Sequence, residues 1–268
     1  MAKMKTQLLI VAGLGAAILS AQAQSSANID PRAERILKQA CDYLAQSKSF
    51  MATAEVWREH LDDSGQKVQF TRTLQLDVRR PDQLHAEIQS GHTDRAFWFD
   101  GKALTSLDRK RNLFSVAPIA GTLDSAIDRA RDEFGVDLPL IDLAVSDPYK
   151  NAMAKVTRAV YFGPSAAMGF QCHHLAFTQD NVDWQVWIED GPRPLIRKFV
   201  IVHKNDPGSP EFTGLIKEWD FSSRISDADF VFEPPEGAVK IDVLKNTGVP
   251  SAPTGGSSQR LYSPKEEH

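Results

Sequence analysis

The sequence predicts an α+β fold: an unclosed, strongly curved antiparallel β-barrel of about 10–11 strands, with an N-terminal helix and a helical lid inserted midway. Three observations lead there. Apolar residues alternate with period two through most of the chain, Asp-Gly turns punctuate that alternation, and two stretches alone keep a helical period. A sheet that large with a single apolar face must curl and cover it.

The 268 residues hold 31 Lys+Arg against 35 Asp+Glu, a net charge of −4, with 42% hydrophobic and 25% charged residues. This is globular composition, and its acidic balance speaks against nucleic acid as a partner. Two cysteines are too few for a disulfide scaffold or a Cys-built zinc site.

Residues 1–23 carry Lys3 and Lys5, an apolar core from Leu8 to Leu19, and Ala21-Gln22-Ala23 as a small-x-small cleavage site. They read as a secretory signal peptide, with a mature chain starting near Gln24 and a periplasmic destination. No later stretch approaches the roughly 18 apolar residues of a membrane-spanning helix, so the mature chain is expected not to span a membrane. The folded domain is expected over 30–245. Residues 246–268, rich in Gly, Pro and Ser, are expected to be a disordered tail.

Within the domain, Asp30-Pro31 opens a helix whose apolar stripe is Ile36, Leu37, Ala40, Tyr43 and Leu44. Phe50 to His60 and Val68 to Val78 then form a hairpin across Asp62-Asp63-Ser64-Gly65. Leu84, Ala86 and Ile88 continue the alternation, and Phe97-Trp98-Phe99 turns at Asp100-Gly101, which supplies the positive φ of a type I′ turn, into 103–107. Leu113 to Ala117 completes this half. Between 121 and 145, Leu123, Ala126, Ile127, Ala130 and Phe134 have helical spacing. Leu138, Leu140, Ile141, Leu143 and Ala144 predict a short second helix. Strands resume over 155–162, 171–179, 184–189, 195–204 and 212–221, and Pro234-Pro235 is expected to end the sheet.

The lid helices need an apolar surface. Leu123, Ile127, Phe134, Leu138 and Ile141 are therefore expected to face Phe70, Leu74, Leu76, Leu84 and Phe97 across a ligand cavity. Arg72 and Arg80 share parity with Phe70, Leu74, Leu76 and Val78 and point inward by strict alternation. Arg80, at the strand end, either reaches the barrel mouth or extends into water. Cys41 on the helix and Cys172 on a strand either meet in a disulfide or are buried apart. Cys172-His173-His174 is a weak metal cluster because alternation sends His173 to the other face. Neither a metal nor a cofactor is expected, and no catalytic motif appears.

The run Leu76-Asp77-Val78-Arg79-Arg80-Pro81 resembles the Lys/Arg-Arg-Pro signature of the LolA/LolB-like periplasmic lipoprotein carriers. Phe99-Asp100-Gly101-Lys102 with Leu104, and Phe230-Val231-Phe232-Glu233-Pro234-Pro235-Glu236-Gly237-Ala238, are similar to two further motifs of that family, in the same order. The likeness covers roughly residues 30–244 and is greatest to predicted periplasmic proteins with that fold. It implies an open barrel whose helical lid shelters acyl chains, with Arg80 in the position that latches the lid through backbone contacts. Three functions follow as expectations. The first is a non-enzymatic carrier of lipid or lipoprotein acyl chains, the second a LolA-like sensor docking an envelope protein, and the third, more remote, a hydrolase of unfamiliar type.

Overall fold

The computed structural model describes residues 28–136 and 138–243; the signal peptide expected at 1–23 and the tail expected at 246–268 lie outside the described residues. Thirteen described strands form one sheet: β1 (Asn28–Ile29), β2 (Ser49–Leu61), β3 (Lys67–Arg79), β4 (Gln83–Gln89), β5 (Asp94–Phe99), β6 (Leu104–Asp108), β7 (Leu113–Ala117), β8 (Arg158–Ala167), β9 (Phe170–Thr178), β10 (Val182–Glu189), β11 (Ile196–His203), β12 (Glu211–Asp220) and β13 (Val239–Lys240). Their spatial order is β1-β8-β9-β10-β11-β12-β2-β3-β4-β5-β6-β7-β13. The long strands all pair antiparallel, whereas two-residue strands lie parallel at either end. The sheet is curled and unclosed, as the sequence predicts.

Two antiparallel meanders, β2–β7 and β8–β12, meet where β12 pairs with β2. The segment between β7 and β8 therefore runs from the last long strand at one end of the sheet to the last long strand at the other. It carries α2 (Leu123–Phe134), a 3-10 turn at Ile141–Leu143 and α3 (Pro148–Met153). The other helix is α1 (Pro31–Gln46). Its cap, Asp30, accepts the Arg32 amide at 2.8 Å, with Pro31 in the first turn.

Strand parity sorts the two faces. Ala52, Ala54 and Val56 of β2, Leu74, Leu76 and Val78 of β3, and Leu84, Ala86 and Ile88 of β4 are buried. Most of them join Ile36, Leu37, Ala40, Cys41 and Leu44 of α1 and the apolar face of α2 in one core on the concave side. The polar residues between them face outward.

Four expectations need correction. The helix expected at 138–144 is only the 3-10 turn: Pro139 supplies no amide and disfavours helix at the residue before it, and Leu140 sits at φ 64°. A helix absent from the expectation, α3, begins at Asp147-Pro148, where the Asp147 carboxylate accepts the Lys150 amide at 2.9 Å. The Asp100-Gly101 turn is a four-residue connection, with only Gly101 at positive φ and Asp100 capping the Lys102 and Ala103 amides. Finally, the paired prolines do not end the sheet. After β12 the chain crosses the convex side, where the Phe232 ring lies 5.1 Å from those of Trp98 and Phe114, and then adds β13 beside β7. Arg79 fastens this crossing by donating to the Ile225 carbonyl at 2.7 Å and to Asp227.

Of the two alternatives for the cysteines, the structure has them buried apart: Cys41 and Cys172 are both free and buried. Alternation along β9 is the reason. Leu175 and Phe177 enter the concave core with Cys41, so Cys172 points the other way, into a small cluster with Ala167, Trp187 and Val200. Burial pushes the Cys41 thiol up to about 12 and raises that of Cys172. Unreduced protein should therefore react with a thiol reagent at two cysteines once unfolded, and hardly at all when native. An unfolded, unreduced sample without free thiol would restore the bridge.

Candidate functional site

The concave face under the lid is the candidate site. Leu74, Leu76, Leu84 and Phe97 of the sheet and Leu123, Ile127, Leu138 and Ile141 of the lid are brought together in one buried cluster. Phe134 packs at its margin, partly buried. Phe70 is not part of it. It keeps the inward parity of β3 but lies past the cover of the helices, 47% exposed. The sheet and lid close on a void of about 30 Å³, with room for about two waters. Phe99, Leu104, Ala126, Ala130 and Val136 also line it. Phe99 was available from the sequence through its shared parity with Phe97.

Several polar contacts fix the lid around this seam. At its start, the Leu123 amide donates to the Pro81 carbonyl at 2.8 Å and the Gly121 amide to the Gly101 carbonyl at 3.1 Å. Gly135, at φ 62°, ends α2 in the left-handed conformation. Asp124 accepts the Ser146 hydroxyl at 2.8 Å, and Asp142 accepts Arg131 and Asn151, each at 2.9 Å. Tyr149 of α3 donates to Glu34 of α1 at 2.7 Å. Burial and the Glu34 carboxylate push this phenol up to about 12.

Arg80 stands where β3 meets the lid. Its guanidinium donates to the carbonyls of Ser47, Leu143 and Val145, each at 3.1 Å. It also lies 5.5 Å from the centre of the Phe50 ring. Its Nε is buried without an acceptor. Burial lowers the guanidinium from its ordinary value, and Asp124 partly offsets this from a distance. The contacts are thus to main-chain dipoles, with no carboxylate bonded to the cation. Such an arrangement orients a lid through charge-assisted hydrogen bonds, without the added cost of desolvating a carboxylate.

The cluster at Cys172 is engaged otherwise. His174 pairs with Gln185 at 2.9 Å and stacks on Trp187 at 4.1 Å, while His173 pairs with the Tyr161 hydroxyl at 3.1 Å. Among the described residues no three His, Cys, Asp or Glu side chains form a metal-holding group, and no helix is long and apolar enough to cross a membrane.

A family model described as "Predicted periplasmic protein (DUF2092)" matches residues 33–244, and the chain belongs to that family. Comparison with curated proteins gives no match. Among solved structures, an uncharacterized conserved protein from Thermus thermophilus is similar at 10% identity, covering 79% of this chain and 99% of that one, with a TM-score of 0.47. The Mycobacterium tuberculosis lipoprotein LppX is similar at 13% identity over 74% of this chain and 100% of its own, TM-score 0.46. The Pseudomonas aeruginosa MucA/MucB complex is similar at 12% identity over 75% of this chain and 61% of that one, TM-score 0.42.

The packing makes a direct prediction. Ile127→Ala should destabilise the protein by about 2–5 kcal/mol in denaturant unfolding. Phe70→Ala, at an exposed position, should change stability by only about 0.5 kcal/mol. Equal losses would mean that the lid is not part of the core.

Proposed function

We propose that this DUF2092 protein is a non-enzymatic periplasmic binding or carrier protein, which takes an acyl chain of a lipid or lipoprotein between the sheet and the 121–145 lid. Export through residues 1–23, with a mature start near Gln24, belongs to the same reading. The observation that carries it is Arg80, whose bonds to the lid go to the Leu143 and Val145 carbonyls alone. Main-chain hydrogen bonds of this kind are worth about 1.5–3 kcal/mol each at most. A ligand offsets their loss: burying one CH₂ contributes about 0.8 kcal/mol, so a chain of about a dozen carbons supplies roughly 9 kcal/mol before costs. The apolar residues parted by the lid's opening are the ones the chain would then cover. Arg80 acts as the latch in this reading.

Mature protein loaded with a fluorescent fatty acid tests it. Arg80→Leu should release the probe about tenfold faster, equivalent to about 1.4 kcal/mol, with an unchanged far-ultraviolet circular dichroism spectrum. Arg80→Lys should fall between the two. Release at the wild-type rate from folded Arg80→Leu would remove the latch, and failure of the wild type to bind any such probe would remove the carrier.

A second reading, docking of an envelope protein, has an observation of its own. Among the described residues β1 pairs with β8 only at Arg158 and Ala159, leaving the outer edge of β8 open beyond them, with Phe162 62% exposed. An open edge of this kind accepts an added strand. Phe162→Asp should then lose a partner that the wild type captures from periplasmic extract, while fatty-acid binding stays the same. Equal capture by both proteins would count against docking at this edge.

A further inference from the structure

Arg72 is an inward-facing cation that the lid does not use. It lies on β3 two residues beyond Leu74, on the face of Leu76 and Val78. The six residue steps from it to Val78 span about 20 Å along the strand. It is half-buried, and among the described residues it has no hydrogen bond or ion pair. Its surroundings are of its own sign. Arg58 is its diagonal neighbour across β2–β3, because Val56 faces Arg72 and Arg58 faces Phe70. Arg95 approaches from β5, opposite Ile88, which in turn faces Leu74. Burial, then Arg58 and Arg95, lower the Arg72 guanidinium from its ordinary value, and no carboxylate raises it.

Arg58 has contacts of its own. Arg95 lies 3.9 Å from Asp108, its partner in register on β6, and Asp108 is also 3.6 Å from Arg111. One carboxylate is therefore shared before Arg72 is considered. A half-buried guanidinium without a counter-charge keeps its open side in water, and its desolvated side favours an anion that binds there.

The rim around it is aromatic. The ring of His60 lies 5.5 Å from Phe70, and that of Phe199 lies 5.6 Å from Phe212. Phe199 settles over Gly214, where a Cβ would come 2.2 Å from its ring. Apolar rings and an unmatched cation thus occur together at the open end of the apolar face that runs from Leu74 to Val78.

We propose that Arg72, backed by Arg58 and Arg95, binds the phosphate headgroup of an amphiphile whose apolar tail lies along the concave face toward the lid. The proposal rests on the acyl-chain reading and deepens it: the ligand is anionic and phosphate-bearing, not a neutral lipid. Planar guanidinium donors suit phosphate oxygens, and the low-dielectric rim strengthens the attraction.

The mature protein is titrated calorimetrically with dodecyl phosphate, with dodecyl maltoside as the neutral ligand of equal tail, and with inorganic phosphate. Dodecyl phosphate should bind at least about tenfold more tightly than the maltoside, and its advantage should shrink at high salt. Arg72→Gln should remove that advantage and leave maltoside binding unchanged, while Arg72→Lys should keep part of it. If Arg72→Gln does not fold, Arg95→Gln is read for the same loss of preference. Equal affinity for the two dodecyl ligands, or a preference that survives Arg72→Gln, overturns the headgroup site and leaves the carrier reading standing. Inorganic phosphate binding as tightly as dodecyl phosphate makes this a free-anion site and overturns the amphiphile. Binding of neither dodecyl ligand removes the carrier reading and this inference together.

Discussion

The concave face of the sheet is longer than the helices laid upon it, and the remaining features of the molecule answer to that mismatch. β2 and β3 have 13 residues each and reach about 43 Å. α1, with 16 residues, and α2, with 12, extend about 24 and 18 Å. Where the helices lie, the strand residues are fully enclosed. Where they end, the same strand parity continues, and Phe70 is left in solvent. The partition into a sealed part and an open rim thus comes from lengths, with no change in the sequence pattern at the boundary.

Two arginines of one parity, one in β3 and one just past its end, show how differently such positions are accommodated. Arg80, beneath the lid, is held by three carbonyls. Arg72, at the rim, has neither carbonyl nor carboxylate among the described residues and is flanked by other cations. Desolvation acts on both, since each is lowered by burial. The difference lies in the neighbouring backbone. A loop end with free carbonyls reaches Arg80, whereas Arg72 is surrounded by strands whose carbonyls are committed to the ladder.

Much of this architecture is legible in the sequence because period two and turn residues are local signals. The eleven long strands stand close to their expected places, and the inward parity of Arg80 follows from counting along β3. What is not legible depends on non-local or overlooked constraints. Leu138 to Ala144 has the apolar spacing of a helix, yet Pro139 and the left-handed Leu140 override it. Asp147-Pro148 repeats the Asp30-Pro31 start that marks α1, but the short α3 behind it has too few residues to show a period. Phe230-Val231-Phe232 alternates as a strand would. It instead passes over the convex side, because Phe230 is buried beneath the Arg79 guanidinium 4.7 Å away. The separation of Cys41 from Cys172 was readable from the parity of Leu175 and Phe177. The exposure of Phe70 was not, since it depends on where a distant helix stops.

The connection from β7 to β8 joins the two far ends of an open, curved sheet, as a string joins the tips of a bow. Flattening the sheet lengthens the chord between those tips and draws the segment taut across the hollow, whereas tighter curvature slackens it. Its anchorage at Pro81, Gly101 and Glu34 divides that string into short spans, and the stretch with Leu143 and Val145 is tied in turn by Arg80. The depth of the hollow and the freedom of the lid are therefore a single mechanical variable, and whatever widens the one must load the other.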